Sequence, residues 1–193
     1  MNAEDALKEG EAAYIADDYP RAAALLLPLA EAGHPHAQYL AAEMYRGGHG
    51  VAQDAAASVR FFKAAADQGH ARAAMFLSFH LDPVMKNAPP MDAIAKDSAE
   101  AGRYLDLSVA RNLELAGAGD LQAMADLGFL YHLGIGVKRD GAEAIRWYTR
   151  AFEAGGTGAA LGRGDVYRDG EKCIRDAAKA KFWHAKYMEL CRR

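Results

Sequence analysis

The sequence predicts an all-α protein built as a tandem array of helix pairs, and three observations support this fold class. First, only 5 Ile, 6 Val and 2 Thr occur among 193 residues; β-branched side chains favour strands, whereas Ala and Leu favour helices. Second, a pattern of glycine, alanine and aromatic residues recurs along the chain. Third, each copy has apolar residues at helical spacing, followed by signals that end one helix and start another.

The recurring pattern is clearest at four glycines, which are separated by 36, 50 and 36 residues. An alanine follows each glycine four residues later, and a tyrosine and another glycine follow in three of the four copies. Agreement at so many positions in one register indicates an internal repeat. The recurring positions are Gly33, Gly69, Gly119 and Gly155; Ala37, Ala73, Ala123 and Ala159; Tyr45, Tyr131 and Tyr167; and Gly48, Gly134 and Gly170.

The repeat predicts a single domain, 1–193, of about five helix pairs. An opening pair at 3–36 has a tight turn, Asp17-Asp18-Tyr19, in place of the glycine loop. Such a departure is expected of a terminal capping unit. The four repeats that follow are predicted to span 37–72, 73–122, 123–158 and 159–193.

Each repeat is predicted to contain a first helix, a loop and a second helix. In the first repeat, residues 37–45 carry small and apolar side chains at helical spacing. Glycines at 48–50 follow, and glycine can adopt the left-handed conformation that ends a helix. Asp54 is a predicted N-cap of the second helix, and Asp140 has the same place in the third repeat.

The second repeat is longer than the others, because its period of 50 residues exceeds theirs by 14. The insertion falls near 82–103, where three prolines break any helix. Asp92 or Asp97 is predicted to cap a helix that is longer than its counterparts. Asp97, Ala101 and Tyr104 also fit the repeat spacing, so two registers stay open here. We expect the loop to add a second partner contact, since insertions in repeat arrays cluster on one face.

The third repeat carries the fullest form of the motif. Its residues are Ala123, Leu127, Gly128, Tyr131, Gly134, Gly136, Val137, Asp140, Ala144, Trp147 and Tyr148. This pattern resembles the Sel-one-like repeat (SLR) family, which is related to the tetratricopeptide repeat. The resemblance implies an α-solenoid, a right-handed superhelix of antiparallel helix pairs, with the first helices on the concave face. The opening pair is more similar to a tetratricopeptide unit.

No arrangement of residues indicates catalysis or a bound cofactor. The chain has 4 Ser and 2 Thr, few candidates for a hydroxyl nucleophile, and no Gly-x-Ser-x-Gly motif. Glycines at 155–158 follow a predicted helix, whereas a dinucleotide fingerprint follows a strand. His34 and His70 occupy the same position after their glycines and are predicted to be turn residues. We therefore expect no enzymatic activity, no catalytic residue, no cofactor and no metal.

Charge and hydropathy favour a cytoplasmic protein. The net charge is −3, which gives no reason to expect nucleic-acid binding. No run of residues approaches the length of a membrane span, and the first residues lack the features of a signal peptide. A predicted helix separates Cys173 from Cys191, which favours reduced thiols over a disulfide.

The first helices, superimposed repeat on repeat, give a candidate partner-binding surface. Positions four and then three residues apart lie on one face of a helix. The middle of this surface is apolar and consists of Met75, Phe79 and Phe129, and its two ends are charged. Aromatic and Arg side chains are typical binding anchors. The alternative is that Phe79 and Phe129 only pack between neighbouring first helices. The candidate residues are Tyr39, Glu43, Arg46, Met75, Phe79, Phe129, His132, Asp165 and Arg168.

The predicted function is that of a non-catalytic scaffold or adaptor that binds a partner protein or peptide on its concave face. One alternative is a cytoplasmic immunity protein that neutralises a secreted bacterial toxin. Another follows from the resemblance, because some SLR proteins are described as binding or hydrolysing β-lactams; this chain lacks the Ser-x-x-Lys signature. The ends of a helix-pair array also permit weak self-association.

Overall fold

The computed structural model describes residues 2–81, 96–170 and 174–192. Within these ranges the chain forms ten α-helices and no β-strand, which confirms the all-α fold class. The chain divides into two compact units, Met1–Ser108 and Val109–Arg193. One continuous domain, 1–193, stays a prediction.

The first unit contains five complete helices and the first part of a sixth. They are α1 (Ala3–Ile15), α2 (Tyr19–Glu31), α3 (Pro35–Gly47), α4 (Ala55–Asp67), α5 (Ala71–Leu81) and α6 (Ser98–Gly117). From α1 to α5, each helix packs against the next along the chain. The odd-numbered helices are the predicted first helices, and the even-numbered ones are the second helices.

The second unit contains the rest of α6 and four further helices. They are α7 (Leu121–Leu133), α8 (Gly141–Glu153), α9 (Ala159–Asp169) and α10 (Ala177–Leu190). From α7 to α10 each helix packs against the next, and the first helices α7 and α9 also contact each other. None of the helices in the described part of the chain combines the length and apolar character that a membrane span needs.

The predicted helix boundaries at Asp54 and Asp140 are confirmed. Asp54 Oδ1 accepts a hydrogen bond from the backbone N–H of Ala57 at 3.0 Å, and Asp140 caps α8 in the same way. Gly48 and Gly134 end α3 and α7 with φ of 71° and 74°, a left-handed conformation that is strained for other residues. Local side chains and glycines therefore set these boundaries.

The predicted turn role of His34 and His70 is also confirmed. The backbone N–H of Ala37 donates to Nδ1 of His34, and that of Ala73 donates to Nδ1 of His70, each over 3.3 Å. Each histidine thus binds one of the N–H groups that the first turn of a helix leaves without a partner.

Helix α6 settles the register of the second repeat within the described residues. Asp97 Oδ1 accepts hydrogen bonds from Ala99 and Glu100 and caps a helix of 20 residues, longer than its counterparts. Ala101 and Tyr104 are buried, so the start of α6 keeps the repeat spacing. Asp92 lies outside the described residues, as do positions 82–95 of the insertion.

Small residues and an aromatic ring bring the helices of the second unit close together. Tyr148 of α8 lies between Gly128 of α7 and Gly162 of α9. A Cβ at Gly128 would come within 2.8 Å of the Tyr148 ring, and one at Gly162 would collide with it. The alternation of small and aromatic residues in the motif therefore reflects packing between successive helix pairs.

Candidate partner-binding surface

The predicted partner-binding residues of the first unit lie on two of its first helices. Helix α3 carries Tyr39, Glu43 and Arg46, and α5 carries Met75 and Phe79. We call these five residues the first-unit face. Four of them are partly buried, and Arg46 is exposed.

The remaining predicted residues lie in the second unit. Helix α7 carries Phe129 and His132, and α9 carries Asp165 and Arg168. We call these four residues the second-unit face. A single stripe that combines both faces stays a prediction.

Arg46 is held in place on the first-unit face. Its Nε and Nη2 donate to Oε2 of Glu43 over 3.2 and 2.5 Å. The Arg46 guanidinium carbon lies 5.9 Å from the centre of the Phe76 ring, within reach of a cation–π interaction. A side chain that is already ordered loses less conformational entropy when a partner binds.

An aromatic stack supports the first-unit face from within. Phe76 stacks on Phe62 of α4 and on His80 of α5, with centroid separations of 3.9 Å for both pairs. Neither Phe76 nor His80 belongs to the predicted set. The repeat alignment could have identified both as packing residues, because they align with Leu40 and Met44, which are buried positions of α3.

A chain of hydrogen bonds joins α1, α3 and the start of α5. His36 Nδ1 lies 3.2 Å from His70 Nε2, and His36 Nε2 lies 3.3 Å from Glu11 Oε1. Since Nδ1 of His70 accepts the N–H of Ala73, neutral His70 carries its proton on Nε2 and donates it to His36. His36 then donates from Nε2 to the Glu11 carboxylate. The hydrogen bond from the backbone N–H of Ala73 thus determines the tautomers of both His70 and His36.

Tyr39 of the first-unit face packs on this chain of hydrogen bonds. Its ring stacks on His70 at 4.6 Å with an interplanar angle of 17°, and the Arg72 guanidinium carbon lies 5.8 Å from its centre. Burial, together with the neighbouring His36 and Arg72, lowers the pKa of His70 to about 4. His70 is therefore neutral near pH 7 and acts as a hydrogen-bonding residue.

The second-unit face contains a network of ion pairs around Arg168. Its guanidinium donates two hydrogen bonds to the Asp169 carboxylate, at 2.8 and 2.7 Å, and lies 2.9 Å from Asp165. Asp165 also lies 3.0 Å from Nε2 of His184. Hydrogen bonding from Arg168 holds the pKa of Asp169 below its ordinary value. The charged side chains of this face are therefore ordered by one another.

Phe129 and His132 differ in their exposure on the second-unit face. Phe129 is 37% exposed, whereas His132 is only 7% exposed. Burial lowers the pKa of His132, which favours the neutral ring. Phe129, Asp165 and Arg168 therefore supply most of the accessible surface of this face, and the His132 ring adds little to it.

The geometry gives no support for metal chemistry in the described part of the chain. No group of three His, Cys, Asp or Glu side chains in those ranges is arranged to hold a metal ion. His36 bonds to both Glu11 and His70, and Asp165 bonds to both Arg168 and His184. The exposed thiol of Cys191 is free, and Cys173 lies outside the described residues.

Helices packed in sequence and joined by glycine loops define each unit as part of a helical-repeat protein. Three segments of the chain, 35–70, 121–156 and 159–186, match the family model of the Sel1 repeat. These segments cover just over half of the chain, which therefore belongs to the Sel1 repeat (SLR) family. The second repeat, where Ser78 and Leu81 replace the glycine and tyrosine of the motif, is not among the matched segments.

Two solved structures of Sel1-type proteins are similar to the chain. A Sel1 repeat protein from Oxalobacter formigenes is 26% identical with a TM-score of 0.58, over 96% of this chain and 68% of that one. The protein c5321, a protective antigen of uropathogenic Escherichia coli with an SLR fold, is 30% identical with a TM-score of 0.53. That match covers 86% of this chain but only 32% of c5321.

A more distant similarity involves the immunity protein Pa5087 from Pseudomonas aeruginosa. It is 18% identical with a TM-score of 0.49, over 97% of this chain and 81% of that one. A similarity at this level carries no argument about function, so an immunity role stays a prediction. No curated protein is a significant sequence match to the chain.

Proposed function

We propose that this protein is a non-catalytic interaction module that binds a partner protein or peptide through its first helices. Membership of the Sel1 repeat family supports the proposal, because these repeats typically mediate protein interactions. Helical repeats suit this role since they present side chains of successive helices on one extended surface. A cytoplasmic location is part of the proposal.

The observation that carries the proposal is the ordered Arg46 of the first-unit face, whose guanidinium lies beside the supporting Phe76 ring. Arg and aromatic residues dominate the binding energy of many interfaces. Arg46 is fixed by Glu43 and Phe76, while Tyr39 is fixed by stacking on His70. A partner would meet side chains that are already ordered, which lowers the entropy cost of association.

The second-unit face supports the same proposal with a different pair of residues. Phe129 exposes 37% of its surface and shares this face with the ion-paired Arg168. Apolar groups beside polar ones are typical of interaction sites. The two faces are tested separately, because each belongs to its own unit.

Affinity capture from native lysate tests the proposal with one substitution in each unit. We expect Phe79→Ser and Phe129→Ser each to reduce recovery of a specific partner, and the double variant to abolish it. Phe182→Ser is the matched control, because Phe182 is an exposed aromatic residue of the second helix α10. Circular dichroism must show the same helix content in all four variants.

Two outcomes would contradict the proposed surface. The first is undiminished recovery by the double variant while the protein stays helical, which places the partner elsewhere. The second is equal loss in the Phe182→Ser control, which indicates non-specific apolar binding. Recovery of a toxin as the partner would identify the protein as an inhibitor that binds through these faces.

Two further assays address the remaining predictions. A chromogenic β-lactam assay at high protein concentration should show no turnover, and clear turnover would overturn the non-catalytic proposal. Shortening the predicted loop near 82–98 should change the choice of partner more than the melting temperature. The opposite result would mark the loop as structural.

A further inference from the structure

The second unit ends in an open groove between α9 and α10. The groove has a volume of about 520 Å³. We call it the end groove and define it by six of its lining residues, Tyr167, Arg168, Arg175, Lys181, His184 and Met188. It combines an apolar floor with a basic rim.

A helix fills the equivalent groove one repeat earlier. The positions 36 residues before the end-groove residues form what we call the internal groove, and α9 packs over it. Tyr148 of the internal groove contacts Gly162 of α9, and Arg139 donates to the backbone carbonyl of Asp169 at 3.2 Å. The internal groove consists of Tyr131, His132, Arg139, Ile145, Tyr148 and Phe152.

Equivalent residues of the two grooves differ in exposure. Tyr148 is 6% exposed in the internal groove, whereas the side chain of its counterpart His184 is 30% exposed. Met188 of the end groove is 52% exposed, whereas its counterpart Phe152 packs against the core of the second unit. The end groove therefore has the construction of a helix-binding groove, without a covering helix in the described part of the chain.

The charges of the end groove indicate which kind of helix it accepts. Inside the described ranges, neither Arg175 nor Lys181 has a carboxylate oxygen within 4.0 Å, although Arg175 is close enough to Asp169 to help lower the pKa of that carboxyl. By contrast, Arg168 forms an ion pair with Asp165, and Asp165 also hydrogen-bonds to His184. A helix that carries carboxylates would complement Arg175 and Lys181, and this attraction would weaken with salt.

Helix α1 of this chain has the required properties. It is the first helix of a pair, as is α9, which fills the internal groove. Its first turn is acidic, with Glu4 and Asp5, and both are exposed. Ala12 and Ile15 continue the exposed side of α1, with Ile15 76% exposed. Asp5, Lys8, Ala12 and Ile15 are spaced by three and four, which places them in one stripe along the helix. Lys8 is basic, so the carboxylates that match the groove are those of the first turn, Glu4 and Asp5.

We propose that the end groove binds α1 of a second copy of this chain, giving a head-to-tail self-association. Glu4 and Asp5 of one copy meet Arg175 and Lys181 of the other, and Ile15 supplies an apolar group for the floor that contains Met188. The contact joins different surfaces of the two copies, so further copies can add to both ends. This self-association goes beyond the proposed function and uses residues outside both predicted faces, except Arg168.

Sedimentation velocity over a range of protein concentrations tests the head-to-tail contact. The weight-average sedimentation coefficient of the wild type should rise with concentration and fall on addition of salt. Reversing the groove charges with Arg175→Glu plus Lys181→Glu should give a monomer, as should reversing the helix charges with Glu4→Lys plus Asp5→Lys. Mixing these two monomeric variants should restore association. The acidic groove of one variant then meets the basic α1 of the other, and the basic groove of the second meets the acidic α1 of the first.

A matched control tests whether the loss of association comes from the end groove or from the change in net charge. Lys138→Glu plus Arg146→Glu changes the charge by the same amount at exposed positions outside the end groove and should leave association unchanged. A wild type that stays monomeric at every concentration would overturn the proposal. So would groove variants that associate like the wild type, or a mixture that remains monomeric. Partner capture through the first-helix faces can succeed or fail independently of these results.

Discussion

His36 bridges Glu11 and His70, with one ring nitrogen bonded to each of them. The arrangement links α1, α3 and α5, and it requires His70 to be neutral, because its Nδ1 accepts the N–H of Ala73. Protonation of His70 at Nδ1 would remove this acceptor and place positive charge beside Arg72. The stability of the first unit should therefore depend on pH.

The first prediction is that His70 makes the protein less stable in mild acid. Its pKa is about 4 in the folded chain and about 6.5 in an unfolded chain. The unfolded state thus binds the proton more tightly, so the contribution is complete above about pH 6.5 and is lost as the pH falls towards 4. When the pH is lowered from about 7.5 to about 5, the shifted pKa of His70 should reduce the free energy of unfolding by about 2 kcal/mol.

Urea unfolding of the wild type and of His70→Asn at both pH values measures this contribution. Asn keeps an N-cap acceptor but does not titrate. The pH dependence should therefore be smaller in the variant than in the wild type. Identical pH dependence in both proteins would show that other groups account for the acid sensitivity.

The second prediction concerns the contact between Gly162 and Tyr148. Gly162→Ala places a methyl group against the Tyr148 ring and should destabilise the protein by about 1–3 kcal/mol. Gly102→Ala is the control, because Gly102 is inside α6 and has open space around its Cβ position. That substitution should stabilise the protein by about 0.5–1 kcal/mol, the usual gain of Ala over Gly in a helix.

Chemical denaturation of both glycine variants distinguishes packing from helix propensity. Opposite signs for the two substitutions support close packing at Gly162. A stabilising Gly162→Ala would mean that Tyr148 moves aside at little cost, and the Tyr148 contact would then not require glycine.

The third prediction concerns the N-cap of α8. Asp140 accepts hydrogen bonds from Ala142 and Glu143 at 2.9 and 3.0 Å. Asp140→Ala leaves these N–H groups without that acceptor and should cost about 1 kcal/mol, whereas Asp140→Asn keeps an acceptor and should cost much less. Thermal unfolding followed by circular dichroism compares the two variants. Equal melting temperatures for Ala and Asn would show that the side-chain acceptor contributes nothing.

The fourth prediction separates binding from stability at Arg46. Its ion pair with Glu43 is partly exposed, and such pairs contribute at most about 1 kcal/mol to stability. Arg46→Ala should therefore change the free energy of unfolding by less than about 1 kcal/mol but reduce partner recovery at least about tenfold, as expected for a binding anchor.

Arg60 offers a matched control for Arg46. It also pairs with a glutamate, Glu31 at 3.3 Å, and lies 4.5 Å from the centre of an aromatic ring, that of Phe61. Arg60 is on the second helix α4, so Arg60→Ala should leave partner recovery unchanged. Equal losses in both variants would indicate a general effect of charge instead of a contact at the first-unit face.

The helix boundaries were predictable because their signals are local. Asp54 and Gly48 act on backbone groups a few residues away, so the sequence near each of them is sufficient. His34 and His70 follow the same rule, since their shared position after a glycine predicted a turn role. The sequence left two candidate caps for the start of α6, Asp92 and Asp97, because both fit its spacing.

Side-chain environments were harder to predict, because they depend on contacts between helices distant in sequence. His132 and Phe129 are three residues apart on α7 and were both selected for the binding surface. Packing buries His132 and leaves Phe129 partly exposed. The bridge from Glu11 through His36 to His70 joins three helices, and no spacing along the chain indicates it.

The sequence by itself determined the all-α fold class, the repeat family and most helix boundaries. These properties depend on residue spacing and on contacts within one or two turns of a helix. The tertiary structure decided the tautomers of His36 and His70, the burial of His132 and the open groove between α9 and α10. Each of these depends on which side chains of separate helices meet, and the distances between those side chains are set only when the helices pack.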